Sequence, residues 1–441
     1  MFTASSPSSG AVASTAIDCV RGIRSGQWTS EQVVRASLER AMAREEELHA
    51  WACLGVEEAM EEARQRDRQP TRGLLHGLPI GIKDLSDTQA LPTAYGSPAY
   101  AGHRPFMDAA CVALARAAGA VILGKTATVE FGATRPCATT NPHNKLHTPG
   151  GSSAGSAAAV ADGQILLATG TQTGGSIIRP AAFCGAVGFK PTFGSLSPAG
   201  TKGYSWSLDT VGAFATCVAD VALFFDVLRG RKESAPLSCA GLAPRIGFFP
   251  GPFADRADPA AVAVLDQVAA QCSRAGATVR SLGCPVGFEL SLGWHRTISR
   301  YEMGRSLLPE RCGAQAQQLG PILLSEIERG RDVDDESYLL AKACGVDLAL
   351  TVEALMADHD VLLTLATPGE APYGLETTGD ATFNLSWSLI GLPCISLPIA
   401  RGPLGLPLSI QLVGARHGDR QLLEAAHWIE RIASLHQLQE S

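Results

Sequence analysis

Apolar residues in the first part of the chain recur at helical spacing. In "TSEQVVRASLERAMAREEELHAWACL", Val33, Val34, Leu38 and Met42 fall on one face, with Ser30 as the cap before Glu31. The whole stretch reads as helix, and "GVEEAMEEARQRDR" continues in the same style, so a helical lead-in packed on the main body is expected. From about Leu74 the texture changes. Short apolar runs ("LPIGI", "AVILGKT") flank the helical "AACVALARAAG", ahead of a glycine-rich region from Thr148 to Gly203. Further on, "RIGFFPG", "TVRSL", "DVLLTLATP", "LIGLPCISLPIA" and "PLSIQLVGA" read as strands. Between and after them, "AVAVLDQVAAQCSRAG", "ESYLLAKACGVDLALTVEALMADH" and "DRQLLEAAHWIERIASL" read as helices. This alternation predicts an α/β fold, a three-layer sandwich with helices on both faces of a large sheet. There is no internal repeat and no proline- or serine-rich linker to mark a domain boundary.

Composition narrows the function class. The chain has 441 residues, 46% of them hydrophobic and 18% charged, which is an ordinary globular balance with much to bury. A formal net charge of −7 argues against a nucleic-acid binder, which would carry a basic face. The opening "MFTASSPSSGAVASTA" lacks the basic start and apolar core of a secretory signal, and "AGAVILG" and "ILLATG" are too short to span a bilayer. A cytoplasmic protein with a mobile tail over residues 1–15 is expected. The 12 cysteines include no C-x-x-C pair and no Cys/His cluster at metal-ligand spacing, so free thiols are expected and no metal is implied. None of the 10 histidines falls inside the glycine-rich stretches.

Three local features carry chemistry. Only 7 of the 36 basic residues are lysine, yet Lys83 interrupts the apolar run "LPIGIKDL". It reads either as a lysine paired with Asp84 or as a desolvated amine able to act as a base. The second feature is "PGGSSAGSAAAV", Pro149 to Val160. No lysine follows it as a phosphate loop requires, and the G-x-S-x-G match of "GSSAG" around Ser153 follows the polar "NPHNKLHTPG", not a hydrophobic strand. The third is "GTQTGGSIIRP", Gly170 to Pro180, in which Thr173, Gly174 and Gly175 can expose successive N–H groups ahead of Ser176. A serine needs a base within reach. With no histidine nearby, a lysine is the natural candidate and a second serine a relay. No lysine stands in an S-x-x-K motif.

Together, "GIKD", "GGSSAGS" and "GTQTGGSIIRPAAFCGAVGFKPTFG" resemble the amidase signature family. The likeness runs from about Leu74 to Leu228 and returns in "FNLSWSLIGLPCISLP". It implies one compact domain over residues 16–441: a lead-in to 73, a signature core 74–228, a variable region 229–360 and closing strands and helix 361–441. It implies no cofactor. It also implies a catalytic triad in which Ser176 is the nucleophile, Ser152, in a cis peptide, shuttles the proton, and neutral Lys83 is the final base. The N–H groups of Thr173, Gly174, Gly175 and Ser176 would form an oxyanion hole, with Ser153 and Thr171 orienting the lysine and the loop. The expected partners are a small-molecule amide, with a homodimer as one option for an oligomeric state that the sequence leaves open, and neither nucleic acid nor membrane.

Two positions depart from the common family pattern. Gln172 stands where many members have aspartate, and the arginine lies three residues past the nucleophile, at Arg179. That "GGS-x-I-R-P" form is similar to malonamidase-like members, where the arginine resembles a clamp for a substrate carboxylate. Bracing of the loop by Arg179 is the other reading. The substrate pocket is expected to be completed between about Thr367 and Asn384. A glutaminase-type subunit of the tRNA amidotransferase and a non-catalytic binding relative are the alternatives to a free-standing amide hydrolase.

Overall fold

The computed structural model describes residues 13–133, 135–238 and 243–439. Of the expected tail, residues 1–12 lie outside the described residues. Thr15 is already docked: its hydroxyl accepts the Asp18 N–H and caps the helix Ala16–Ser25.

Eleven strands build one mixed sheet: β1 (Trp51–Leu54), β2 (Pro79–Lys83), β3 (Val121–Thr126), β4 (Leu167–Gln172), β5 (Val187–Lys190), β6 (Thr210–Ala215), β7 (Arg245–Phe248), β8 (Thr278–Ser281), β9 (Val361–Leu365), β10 (Cys394–Arg401) and β11 (Pro407–Val413). Their spatial order is β1-β3-β2-β4-β6-β5-β10-β11-β9-β7-β8. β2 runs parallel to both β3 and β4, and β7 to both β8 and β9; the other pairings are antiparallel.

Side-chain alternation along a strand divides the core into two layers. In β3, Val121 and Leu123 join the cluster formed with helices Ser30–Leu48, Val56–Arg68 and Ala154–Ala161, whereas Ile122 joins a larger one. That larger cluster is built with helices Ala16–Ser25, Ala110–Ala117, Val218–Leu228, Pro259–Arg274 and Asp419–Gln439. Strands buried on both faces read as continuous apolar runs, which is why β2, β3 and β9 stand out in the sequence. Another helical group, Ser291–Ser306, Pro321–Arg331 and Asp335–Met356, packs over the loop residues Leu85, Phe131, Tyr204 and Leu208. Among the described residues no helix is long and apolar enough to cross a membrane.

Several local expectations are corrected. The helix predicted through Leu54 ends at Leu48; His49 takes the left-handed conformation (φ 49°), and Glu45 accepts the N–H groups of Ala50 and Trp51 as the chain turns into β1. Its cap is Thr29, not Ser30: Thr29 and Gln32 form a reciprocal capping box, while the Ser30 hydroxyl donates to Gly77 O at 2.9 Å. Met42 is half exposed, because it lies about 100° round the helix from Ala41 and the buried face is centred on Val34, Leu38 and Ala41. β5 and β6 ("VGFK", "TVGAFA") escape the sequence pattern, since their glycines dilute the apolar signal.

Gly155, the second glycine of the G-x-S-x-G match around Ser153, sits where only a glycine fits. A Cβ there would lie 2.2 Å from Ala50 O and 2.4 Å from Ala127 N, so the glycine exists to let helix Ala154–Ala161 rest on two backbone segments. Its N–H donates to Ala127 O at 3.0 Å. Gly155→Ala is expected to lose about 1–3 kcal/mol in chemical denaturation, the range of an overpacked core, and a neutral result would mean that the contact yields freely.

Candidate active site

Lys83 is the last residue of β2, at the carboxyl end of its parallel neighbours, where open α/β sheets leave a crevice. It is fully buried. Its Nζ lies 2.8 Å from Ser152 Oγ, 2.7 Å from Thr171 Oγ1 and 3.4 Å from Thr171 O, so its contacts are hydroxyls and a carbonyl. Burial pulls its pKa down to about 7, against a smaller upward pull from the Asp209 carboxylate. The pairing with Asp84 does not occur. Asp84 points to the other face of the strand, where it pairs with Lys125 at 3.2 Å.

The peptide bond between Gly151 and Ser152 is cis, as the family resemblance implied. The loop is held at both carbonyls. Ser152 O accepts from Val129 N (3.2 Å) and Thr128 Oγ1 (3.1 Å). Gly151 O accepts from Arg179 Nε (3.2 Å) and Nη2 (2.7 Å), and Arg179 Nη1 donates to Gly379 O at 2.6 Å. The edge of the guanidinium that would grip a carboxylate is therefore filled by a backbone carbonyl. Ser153 joins the two reactive loops: its N–H donates to Ser176 O at 3.3 Å, and its hydroxyl exchanges hydrogen bonds with the Thr171 backbone at 3.2 and 3.4 Å.

Between β4 and helix Ile178–Cys184, every carbonyl from Thr173 to Ser176 is tied down. Thr173 O accepts from His295 Nε2 (2.9 Å), Gly174 O from Ser388 Oγ (2.5 Å), Gly175 O from Arg179 N (2.9 Å), and Ser176 O from Ser153 N. A carbonyl can only accept, so Nε2 of His295 carries the proton, and burial, which pulls its pKa to about 4, keeps the ring neutral. Among the described residues the N–H groups of Gly174, Gly175 and Ser176 donate to no protein acceptor. Gly175 has no room for a side chain, since a Cβ would meet Asn384 Oδ1 at 2.5 Å. Gln172 fixes the far end of the turn. Its Oε1 accepts from Ile177 N and Ile178 N at 2.8 and 3.0 Å, while its Nε2 donates to Ser388 Oγ at 3.0 Å, a bond that an aspartate could not give.

A cavity of about 250 Å³ reaches this centre at Gly132, Thr171 and Thr173. A Cβ on Gly132 would stand 3.4 Å from Ser152 Oγ. The rest of the wall comes mainly from residues between Pro198 and Val211, not from the expected 367–384 segment, which packs behind the loops instead. There Gly379 meets Arg179, and a Cβ on Gly151 would touch Thr378.

The structure thus brings Lys83, Ser152, Ser153, Thr171 and the 173–176 turn into one centre, with Arg179 behind it. Sequence reasoning missed His295, Ser388 and Asp209. His295 is a lone histidine in helix Ser291–Ser306. Ser388 lies inside "FNLSWSLIGLPCISLP", but nothing local says that it meets Gly174. Asp209 accepts from the Thr173 hydroxyl and from the Tyr204 and Ser205 N–H groups.

The depressed Lys83 pKa has a measurable sign. An unfolded lysine titrates near about 10.4, so between about pH 7 and that value the unfolded chain holds the extra proton and raising the pH favours folding. Lys83→Met lacks this dependence. Its stability relative to wild type should be greatest at or below about pH 7 and shrink toward about pH 10 in denaturation curves; a pH-independent difference would show that the amine is not desolvated.

The sequence pattern of the family described as Amidase matches residues 32–423. A glutamyl-tRNA(Gln) amidotransferase subunit from Cyanothece sp. is 32% identical, with 92% of this chain and 95% of that protein covered. A solved amidase superposes with a TM-score of 0.87 at 30% identity, over 95% of this chain and 99% of its own. The peptide amidase of Stenotrophomonas maltophilia gives 0.80 at 28% identity, over 96% and 97%. With the match spanning the reactive loops and the segments behind them, the chain belongs to the amidase signature family of amide C–N hydrolases.

Proposed function

We propose that the chain hydrolyses a small carboxamide through an acyl-enzyme on Ser176. The observation that carries this reading is a buried lysine with a pKa near neutrality, in hydrogen-bond reach of a serine whose loop is tied directly to Ser176. Ser176 Oγ attacks the amide carbonyl, and its proton passes through Ser152 to neutral Lys83. The N–H groups of Thr173, Gly174, Gly175 and Ser176 receive the oxyanion, and the carbonyl anchors set the orientation of the last three in advance. The proton returns through Ser152 to the leaving nitrogen, which departs as ammonia or amine. Water then attacks the ester by the same relay and frees the carboxylate. Ser153 and Thr171 hold the lysine and the loop in register.

Arg179 is proposed to brace the Gly151 carbonyl. Its contacts with Gly151 O and Gly379 O support this, and so does its burial, which pulls even a guanidinium down to about 10. The chain is proposed to act in the cytoplasm, where its 11 described cysteines, all free, stay reduced.

The relatives named as amidotransferase subunits favour a second reading, in which the chain releases ammonia for a partner. Activity of the purified chain alone on simple amides separates the two.

Ammonia release from a panel of primary amides should fall by about 10³-fold or more in Ser176→Ala. Wild-type kcat/KM should rise with pH through about 7 as Lys83 loses its proton, and Lys83→Met should remove that limb. Full activity in Ser176→Ala, or an unaltered pH profile in Lys83→Met, would refute the assignment. Arg179→Ala should depress turnover of neutral and carboxylate-bearing amides alike; a loss confined to the latter would restore the clamp.

A further inference from the structure

The cavity beside the triad is unusual in the charge it withholds. Its ionisable lining residues are Lys202, Tyr204 and Asp209. Burial pushes the Tyr204 phenol up to about 12, so it stays neutral, and it pushes the Asp209 carboxyl up as well, so neither supplies a positive charge. Lys202 is the one cationic side chain in the wall, and its ammonium is bonded to the nearly buried carboxylate of Glu310. Tyr100 donates to the same Glu310 oxygen at 2.9 Å. The two other cations near the centre are equally committed: Lys83 titrates near 7, and Arg179 faces two backbone carbonyls. The remaining wall sets the apolar Leu85, Phe131, Pro198, Trp206 and Val211 among uncharged hydroxyl residues such as Thr171, Thr201 and Ser205. Trp206 is half exposed at the rim, edge-on to Tyr301 at 6.4 Å.

We propose that Glu310 masks Lys202, so that the site selects uncharged amides with a flat apolar group and rejects amides that carry a carboxylate. This rests on the Ser176 reading above. A carboxylate entering the cavity would lose water and find no uncommitted cation in the wall. A ring would meet Phe131 and Trp206, and the volume suffices, since an apolar cavity of about 150 Å³ already holds benzene. Glu310 lies outside the lining residues and acts through Lys202, which makes it a positioning residue for charge selectivity.

The test compares kcat/KM for phenylacetamide and for succinamate, both primary amides, in wild type, Glu310→Gln and Lys202→Met, with Ser176→Ala as the blank. Wild type should favour the ring amide by about tenfold or more, a ratio within the reach of pocket discrimination. Glu310→Gln, which keeps the shape but unmasks the lysine, should narrow that ratio by about tenfold, chiefly through a lower KM for succinamate. Lys202→Met should leave the ring amide preferred, because the cation it removes was already neutralised. A wild-type preference for succinamate, an unchanged ratio in Glu310→Gln, or a narrowed ratio in Lys202→Met would each overturn the proposal while the hydrolase reading stands. If Ser176→Ala matches wild type, the proposal falls together with that reading.

Discussion

An amine buried with no carboxylate in contact is the constraint on which the rest of this centre depends. β2 and β3 each carry a fully buried lysine, Lys83 and Lys125, one register position apart across the parallel ladder. Asp84 directly follows Lys83 in the chain and would be its obvious partner. Strand alternation turns it away from Lys83 and onto Lys125, which also donates to Ser86 O and Thr93 Oγ1. Lys125 is thereby a structural ion pair. Lys83 is left with hydroxyl partners, and desolvation is free to work on it. Adjacent strands thus make an ion-paired lysine and a desolvated, carboxylate-free one from the same residue type.

A second dependence runs through the backbone. Four consecutive carbonyls between Thr173 and Ser176 are bound from behind by a histidine, a serine and two main-chain N–H groups. Fixing the carbonyls fixes the peptide planes, and the opposite edges of those planes present the N–H groups. Preorganisation of this kind costs nothing when charge develops, because the dipoles do not have to turn. Gln172 suits the arrangement: it accepts at the helix start and donates to the Ser388 hydroxyl that holds Gly174.

The residues of the candidate centre stood out in the sequence because its turns depend on local properties, while the roles given to them came from the family resemblance. Glycines that admit tight turns, serines on those turns and a lysine in a strand of apolar residues are all visible over a few positions. The buried parallel strands were legible for the same reason. The supports were not. His295 and Ser388 reach the centre from 122 and 214 positions away, and neither stands in a pattern that would distinguish it from an ordinary helix residue. Polar and glycine residues drew the expected pocket wall to 367–384, whereas the observed wall uses Leu85, Phe131 and Trp206. Arg179 is a further case: its spacing suggested a ligand contact, and only the fold shows which carbonyls fill its fork.

The origin of those supports also bears on how the molecule comes into being. Lys83, Ser152 and Ser176 are all synthesised in the first half of the chain, but the anchors of the turn arrive with His295 and Ser388. β10, which closes the gap between β5 and β11, follows later still. A ribosome-bound chain that has already exposed its serines therefore lacks the groups that orient the turn. Domains assemble as units once their last strands emerge. The anchors of the turn are thus the last of its parts to be made, and the 173–176 geometry is completed only with the second half of the chain.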